Sequence, residues 1–474
     1  LPLKINTDKV QHRPPRLTIA HRGASANLPE DTIAAFQLAL ELRADFVNLG
    51  LLPTSDNQLI VTREMDLETT TDVRDKFPDR QPWFSPHANM TGFWVFNFTA
   101  AEIATLKVNQ NSEYARSPMY DGLWGVPTLT DVLQTVNLWN TEQLSYRVPD
   151  DELDIDVKDG EPRKPTTLQL AQSGIYAELE HPHWVYSDVG VLMSDLLVQH
   201  VQEHQSEWQK LIPCFDEIQF DAYKVPGLVV QSFVGDYLQK FHEKWQEEID
   251  PTVMPEPPHV LMVSARNCED ESFWFKIGDT FRELLSGIGI EKKCLIANEP
   301  YTLTSTKAAE FNLVLHAYTE YPERASLSDE DRFADDAEEM EYLYCHVGIQ
   351  GVFAESVSEA VLAATLPCDH TKHKNQPPHS GTEEDGSLCY DSADEANFFT
   401  AGAAFVMGIF LTVLFFVAYG RHHIRWQSNV VPSAEDTIIY SPRPVHHDQE
   451  QEHAQEIYSK EGSESSSSSI YKDD

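Results

Sequence analysis

The sequence predicts an α/β fold, a closed (β/α)₈ TIM barrel, over residues 16–366. Short β-branched runs alternate with amphipathic helical stretches, which is the pattern of a parallel sheet covered by helices. Eight such strand segments follow one another along the chain, as a closed barrel requires. No glycine-rich dinucleotide turn follows the first segment, which disfavours the alternative of an open doubly wound sheet.

The predicted elements follow in regular order, with two insertions between them. An aromatic-rich insertion covers residues 71–111, and a charged insertion covers residues 141–165. The predicted strands are residues 17–20, 46–51, 175–179, 228–232, 260–263, 294–297, 313–318 and 351–355. Helical patterns are clearest at residues 32–42, 193–210, 233–247, 273–287 and 337–345.

The region after the barrel has the composition of a membrane anchor. Residues 367–397 form a polar stalk, and residues 398–419 carry no charge. Because about 20 apolar residues span a bilayer core, we expect a single transmembrane helix there. Asp391 and Glu395 precede this segment, whereas Arg421 and Arg425 follow it. The excess of positive charge places the C-terminus in the cytosol and the barrel on the extracellular or lumenal side.

The remaining segments agree with this single-pass arrangement. Residues 1–15 are an N-terminal extension, and residues 420–474 are too polar to bury a core, so we expect a disordered cytosolic tail. Two N-glycosylation sequons begin at Asn89 and Asn97, on the predicted lumenal or extracellular side. The net charge of −41 argues against nucleic acid as a partner.

Six cysteines precede the predicted transmembrane helix. An even number in an extracytosolic region allows up to three disulfides, although several buried free thiols are an equal alternative. Cys368 and Cys389 flank a polar loop, and we expect these two to pair. Cys345 lies in a helical pattern and is expected to be part of the core.

The most informative motif lies where the first predicted strand ends. His21, Arg22 and Gly23 follow this strand, and a turn containing Pro29, Glu30 and Thr32 opens the next helix. The carboxyl ends of the strands are where (β/α)₈ barrels place their chemistry. This motif resembles the glycerophosphodiester phosphodiesterases, particularly their longer, periplasmic-like branch. Further similar segments follow in the family's order at residues 44–46, 69–73, 98–99, 126–129, 174–178, 231–233, 316–319 and 351–353.

The resemblance implies an enzyme of phospholipid metabolism that hydrolyses glycerophosphodiesters to glycerol 3-phosphate and an alcohol. Two histidines, an arginine and a divalent cation, Ca²⁺ or Mg²⁺, would carry that reaction. By resemblance, His21 corresponds to the first catalytic histidine and Arg22 to the phosphate-contacting arginine. Glu30 corresponds to the acid of the turn, and Glu178 to the metal-binding glutamate of the third strand.

The chain departs from the family's pattern at four positions. The second strand of the family ends in Glu-x-Asp, two metal ligands, where this chain has Asn48 and Gly50. Asn48 still offers one neutral oxygen, so it is a weak candidate ligand. Arg63 stands at the position of the second catalytic histidine, and an arginine does not deprotonate near neutral pH. Glu180 replaces the family's lysine, while Glu355 differs only mildly from the family's pattern.

Three hypotheses follow from this mixed pattern. The first is a barrel with impaired or lost metal-dependent hydrolysis, in which Arg22 and Arg63 still bind the phosphate of a glycerophosphodiester or lipid headgroup. The second is an active phosphodiesterase with a rearranged metal site, in which Glu64, Asp56 or Glu355 supplies the missing carboxylates. The third is a membrane-anchored scaffold or partner-binding ectodomain without catalysis, since fold alone does not fix function.

Overall fold

A computed structural model describes residues 16–87, 89–110, 116–145, 173–211, 227–296, 303–323, 326–328 and 332–368. Within these residues, eight parallel strands close on themselves in the order β1-β11-β10-β9-β8-β7-β6-β2, and β2 pairs with β1. The strands are β1 Leu17–His21, β2 Phe46–Pro53, β3 Leu59–Val61, β4 Trp83–Ser85, β5 Met90–Gly92, β6 Gly174–Leu179, β7 Leu228–Ser232, β8 His259–Val263, β9 Gly287–Glu291, β10 Val314–Glu320 and β11 Gly351–Ala354. The predicted TIM barrel is confirmed.

Helices cover the outside of this barrel. They are α1 Ile33–Glu41, α2 Val73–Lys76, α3 Ala100–Ile103, α4 Leu129–Ser145, α5 Pro182–Val189, α6 Met193–Glu203, α7 Gln205–Leu211, α8 Gly235–Glu248, α9 Glu271–Lys276, α10 Lys293–Ile296, α11 Leu303–Phe311, α12 Asp336–Tyr342 and α13 Val357–Thr365. Single π-helical turns, Ile277–Phe281 and Leu343–Val347, extend α9 and α12. The long helix predicted at residues 193–210 is instead the pair α6 and α7.

The apolar side chains form two cores, one inside the barrel and one between the strands and the helices. The inner core contains large side chains from alternate strand positions, among them Phe46, Tyr176, Met262 and Phe353. Met262 and Phe353 also border the cavity described below. The aromatic-rich insertion adds to the outer core with Phe93, Trp94, Phe96 and Phe98.

One predicted strand was placed wrongly. A strand was expected at residues 294–297, but residues 293–296 form the short helix α10. The barrel strand of this region is β9, which lies earlier in the chain, at Gly287–Glu291. The sequence pattern of β9 is weak because it contains Gly287 and Gly289, and glycine is unfavourable within a strand. Both are needed in the folded barrel. A Cβ atom would lie 2.4 Å from Val314 Cγ2 at Gly287 and 2.2 Å from Met262 Sδ at Gly289.

The disulfide prediction was also wrong. Cys345 pairs with Cys368, and Cys268 pairs with Cys294, so Cys345 is not a free core thiol and Cys368 does not pair with Cys389. Helix α13 packs against α12 and returns the chain to the segment that contains Cys345. This neighbourhood arises from tertiary packing and has no signature in the local sequence. Cys389 itself lies outside the described residues.

Several predictions fall wholly or mainly on residues that the structure does not describe. These are the N-terminal extension at residues 1–15, the transmembrane helix at 398–419, the tail at 420–474, most of the charged insertion and nearly all of the stalk. Of the helices described, none has the length and apolar character needed to span a membrane. Of the two sequons, Asn89 is exposed in the β4–β5 hairpin, and Asn97 is half-buried.

Candidate functional site

The residues predicted for the site meet where the strands end. His21 is the last residue of β1, Asn48 lies on β2 and Glu178 lies on β6. The strand register places His21 beside Asn48 and Gly50 beside Glu178. A cavity of about 200 Å³ opens at this point. Its lining includes His21, Arg22, Asn48, Gly50, Arg63 and Glu178.

A sharp turn after β1 directs Arg22 into this cavity. The φ angles of Arg22 and Gly23 are 57° and 83°, both in the left-handed region. A Cβ atom on Gly23 would lie 2.7 Å from the carbonyl carbon of Ala35, so only glycine permits helix α1 to pack so closely. Thr32 begins that helix, because its hydroxyl accepts a hydrogen bond from the backbone N–H of Ala35 at 3.2 Å.

His21 is oriented by a buried carboxylate. Its Nδ1 lies 3.1 Å from Oε1 of Glu355, and Arg116 donates a hydrogen bond to the other oxygen of that carboxylate. Burial, together with the positive charges of Arg22 and Arg63, holds the pKa of His21 well below its usual value. The imidazole is therefore neutral. Because the carboxylate accepts, Nδ1 carries the proton and Nε2 is left as an acceptor.

Arg22 is paired with Glu30. Nη1 of Arg22 donates to Oε2 of Glu30 at 2.7 Å, and both side chains are at most 5 % exposed. Glu30 does not line the cavity. Glu30 was predicted to be an acid of the site. In the structure its carboxylate is the counter-charge that holds the guanidinium of Arg22 in place.

The opposite wall of the cavity, on β2 and β6, is built differently. The Asn48 amide donates to the backbone oxygen of Tyr176 at 3.1 Å, which fixes its orientation. Gly50 contributes no side chain, and the carboxylate of Glu180 occupies the space beside it. A Cβ atom on Gly50 would lie 2.7 Å from Oε1 of Glu180 and 3.1 Å from Cα of Arg63. Glu180 thus fills the position that a second-strand carboxylate would need.

Glu178 lies on β6, and Glu180 follows the end of that strand, two positions further along the chain. Gln231, beside Glu178 in the neighbouring strand β7, donates a hydrogen bond to it. Burial raises the pKa of Glu178, while the charge of Arg63 opposes the increase. Burial and the neighbouring Glu178 raise the pKa of Glu180 well above its usual value.

Arg63 brings a fixed positive charge into this wall. It follows β3 and is only 12 % exposed, with Nη1 at 3.7 Å from Oε1 of Glu64. Its charge acts on His21, on Glu178 and on Glu180. Arg22 lines the same cavity. Two guanidinium groups therefore face one small pocket.

These donors do not fit a divalent cation. Mg²⁺ and Ca²⁺ require several oxygen ligands, usually including carboxylates. The second-strand positions supply one pinned amide and no side chain, and Arg63 adds a positive charge where a cation would be repelled. The part of the chain that the structure describes contains no group of three His, Cys, Asp or Glu side chains arranged to hold a metal ion.

The carboxylates that could have compensated are engaged elsewhere. Asp56 accepts hydrogen bonds from Thr54 and from the backbone of Ala100 in an exposed turn, as expected for a turn residue. Glu355 is held between His21 and Arg116. Glu64 faces Arg63. None of these three lines the cavity.

Arg116 is a part of the site region that sequence reasoning missed. It comes from the loop before α4 and bonds Glu355, Glu323 and the backbone oxygen of Ser25. No motif surrounds it. Its partners are far away along the chain, 91 positions for Ser25 and 239 for Glu355. The sequence indicated Gln231 only as part of residues 231–233, a segment similar to the family. Its place beside Glu178 follows from the register of β6 and β7.

Comparison with known proteins agrees with this barrel and this turn. Residues 21–162 match the model of the glycerophosphoryl diester phosphodiesterase family. This part of the chain is therefore similar to that family. The match begins at His21 and includes Asn48, Gly50 and Arg63, whereas the fourth changed position, Glu180, lies beyond it.

Curated relatives carry the family's name. The chain is 36 % identical over 118 residues to glycerophosphodiester phosphodiesterase GDPD6 of Arabidopsis thaliana, covering 24 % of this chain and 32 % of the relative. It is 30 % identical over 195 residues to the Treponema pallidum glycerophosphodiester phosphodiesterase, covering 40 % of this chain and 49 % of the relative. The matched segments thus span less than half the length of these relatives.

Solved structures of the family are similar in outline. A glycerophosphoryl diester phosphodiesterase from Parabacteroides distasonis is 14 % identical, with a TM-score of 0.44, and the match covers 77 % of this chain and 92 % of the other. A phosphodiesterase from Oleispira antarctica, solved in complex with the product sn-glycerol-3-phosphate, is 15 % identical, with a TM-score of 0.42. That match covers 73 % of this chain and 96 % of the other.

Proposed function

We propose that this barrel binds the phosphate of a glycerophosphodiester or lipid headgroup and has lost the family's metal-dependent hydrolysis. One observation carries the proposal. Arg22 and Arg63 line a single cavity in which the second-strand positions are Asn48 and Gly50. Guanidinium groups neutralise phosphate oxygens through charge-assisted hydrogen bonds and can take the electrostatic place of a cation.

The geometry suits binding better than proton transfer. Arg22 is held by Glu30, so its guanidinium is already ordered before the ligand arrives. Neutral His21 presents Nε2 as an acceptor, which suits a glycerol hydroxyl. Hydrolysis in this family uses two histidines, and Arg63 cannot donate and recover a proton near neutral pH.

The proposal is tested by calorimetric titration of the full chain with glycerophosphoglycerol in the presence of EDTA. Wild type is expected to bind without metal. Arg63→Met should weaken binding about tenfold to a hundredfold, because a charge-assisted hydrogen bond contributes about 1.5–3 kcal/mol. Arg74→Met is the matched control, since Arg74 pairs with Glu68 at an exposed position.

Two outcomes would end the proposal in different ways. Binding that requires Ca²⁺ or Mg²⁺ and is followed by release of glycerol 3-phosphate favours the rearranged-site phosphodiesterase. Equal heats for wild type and for an Arg22→Met/Arg63→Met double variant favour the scaffold hypothesis, because the ligand would then not use the cavity.

We also propose that residues 398–419 anchor the chain in a membrane, with the barrel on the extracellular or lumenal side. The two disulfides support that side, since such bonds persist in oxidising compartments. In cells, the full chain should stay in the membrane fraction after carbonate washing, and deletion of residues 398–419 should release it. A mobility shift on glycosidase treatment that disappears in an Asn89→Gln/Asn97→Gln variant would fix the side, and its absence would speak against glycosylation.

A further inference from the structure

Arg116 is a buried cation that stands outside the cavity. Its side chain is 9 % exposed, and it is not part of the cavity lining. The guanidinium donates to the carboxylate of Glu323 at 2.9 and 3.1 Å, to the carboxylate of Glu355, and to the backbone oxygen of Ser25 at 2.9 Å. Because a buried charge is costly unless it is paired and hydrogen-bonded, this set of partners indicates a position built for an arginine.

The partners of Arg116 belong to three loops at the same end of the barrel. Ser25 lies in the turn after β1, Glu323 lies in the loop after β10, and Glu355 directly follows β11. Strand β11 pairs with both β1 and β10. Arg116 therefore connects the ends of three adjacent strands, one of which ends in His21.

Two of these partners hold His21. The carboxylate of Glu355 lies 3.1 Å from Nδ1 of the imidazole, and the hydroxyl of Ser25 donates to the backbone oxygen of His21 at 2.7 Å. Glu355 and the side chain of Ser25 are fully buried, so solvent does not compete for these contacts. Arg116 bonds both residues. It thus restrains the ring of His21 through one of them and the backbone of His21 through the other.

The carboxylate of Glu355 depends on the cation beside it. Burial raises the pKa of Glu355, and the charge of Arg116 opposes that increase. The shape of the cation matters as well. An arginine presents its N–H donors in one rigid plane that can bond two carboxylates and a carbonyl oxygen together, whereas a lysine is a single flexible point charge.

We propose that Arg116 is a positioning residue for the ligand: it fixes His21, through Glu355 and Ser25, so that Nε2 faces a hydroxyl of the ligand's glycerol. Arg116 acts through these two residues and does not touch the ligand. This inference rests on the proposed phosphate-binding function and adds to it the residue that orients the glycerol-binding group.

The test compares two phosphodiesters by calorimetric titration of the full chain in EDTA. Glycerophosphoglycerol carries hydroxyl groups, and dipropyl phosphate has the same charged group without them. Both can bind Arg22 and Arg63, but only the first can form a hydrogen bond with His21. His21→Ala should therefore lower the ratio of the two affinities about threefold to tenfold, which is the contribution of one net hydrogen bond.

Arg116→Met should lower this ratio by a similar factor, whereas a purely structural role would weaken both diesters equally and leave the ratio unchanged. In a His21→Ala background, Arg116→Met should not change the ratio further, because the group that it positions is gone. Arg80→Met is the matched control and should keep the ratio of wild type. Arg80 also bonds a carboxylate and a backbone oxygen, those of Glu102 and Asn97, but in the neighbouring insertion.

The outcomes separate this inference from the function on which it rests. An unchanged ratio in His21→Ala or in Arg116→Met overturns the inference and leaves phosphate binding intact. A further fall in the His21→Ala background also overturns it, since Arg116 would then act by another route. Failure of wild type to bind either diester overturns the proposed function as well. A fall in ratio that requires His21 and is absent in Arg80→Met supports the inference.

If Arg116→Met does not fold, Glu323→Gln replaces it in the test. Glu323 is 34 % exposed, and its replacement leaves Glu355 paired with Arg116. The change weakens the bidentate contact that orients the guanidinium. The ratio of affinities should then fall about twofold, at the lower end of a hydrogen bond's contribution. A ratio equal to that of wild type would overturn the inference.

Discussion

The half of the site on β1 and β11 and the half on β2 and β6 are built in contrasting ways. On the first, each site side chain has an acidic partner close by: Nδ1 of His21 lies 3.1 Å from Glu355, and Arg22 contacts Glu30 at 2.7 Å. On the second, the strand β2 contributes an amide and a glycine. The first half keeps the residues expected from the resemblance to the family, whereas the second half keeps Glu178 and differs at Asn48, Gly50, Arg63 and Glu180.

In the second half, the changes at Gly50 and Glu180 are complementary in volume. The missing side chain at position 50 leaves the space that the Glu180 carboxylate occupies. Arg63 then lies close enough to offset part of the negative charge of Glu178 and Glu180.

The largest effect is expected on the first half. Arg22→Ala leaves Glu30 buried without its partner, and breaking a buried pair costs about 3–5 kcal/mol of unfolding free energy. Urea unfolding of wild type and variant measures this. Arg74→Ala, which breaks the exposed pair with Glu68, should change stability by less than about 1 kcal/mol. Similar costs for the two variants would show that the pair at Arg22 is not tightly coupled.

A smaller effect tests whether the second half is matched. Gly50→Ala places a methyl group against Glu180, and overpacking of this kind costs about 1–3 kcal/mol. In a Glu180→Ala background, the same change should cost much less, because the carboxylate that it meets is gone. A double-mutant cycle in urea unfolding gives the coupling. Additive costs would mean that Gly50 and Glu180 are independent.

The link between the halves should appear as a pH dependence. The carboxyl of Asp31 accepts a hydrogen bond from the backbone of Arg63, yet burial and Glu30 raise its pKa from 3.8 to about 8. Between these values the folded protein holds a proton that the unfolded chain has released. Stability should therefore fall as pH rises from about 4 to 8, by up to about 1.4 kcal/mol per pH unit from this group.

Asp31→Asn replaces the titrating carboxyl group with an amide of nearly the same shape, which does not ionise. The variant should lose this part of the slope and be more stable than wild type at pH 7, when unfolding is measured at a series of pH values. A slope that is identical in the two proteins would mean that Asp31 ionises in the folded state as it does in the unfolded chain.

The arrangement of the first half of the site could largely be predicted from the sequence, whereas most of the second half could not. The spacing of apolar runs predicted that His21 lies at the end of the first strand. In the folded barrel, the register places Asn48 beside His21 and Glu178 beside Gly50. The fit of Glu180 against Gly50 depends on side-chain volumes across two strands. Arg116 reaches Glu355 across 239 positions from the loop before α4, which carries no motif. Such contacts depend on tertiary packing and leave no local pattern.

The central claim is that the second half no longer supports metal-dependent hydrolysis. The most direct measurement is release of glycerol 3-phosphate from glycerophosphoglycerol, with Mg²⁺ or Ca²⁺ and with EDTA. The full chain is compared with a variant that restores the family's residues by Asn48→Glu, Gly50→Asp, Arg63→His and Glu180→Lys. The prediction is no metal-dependent release by wild type and a gain of release in the restored variant. Metal-dependent release by wild type that is abolished in His21→Ala would contradict it.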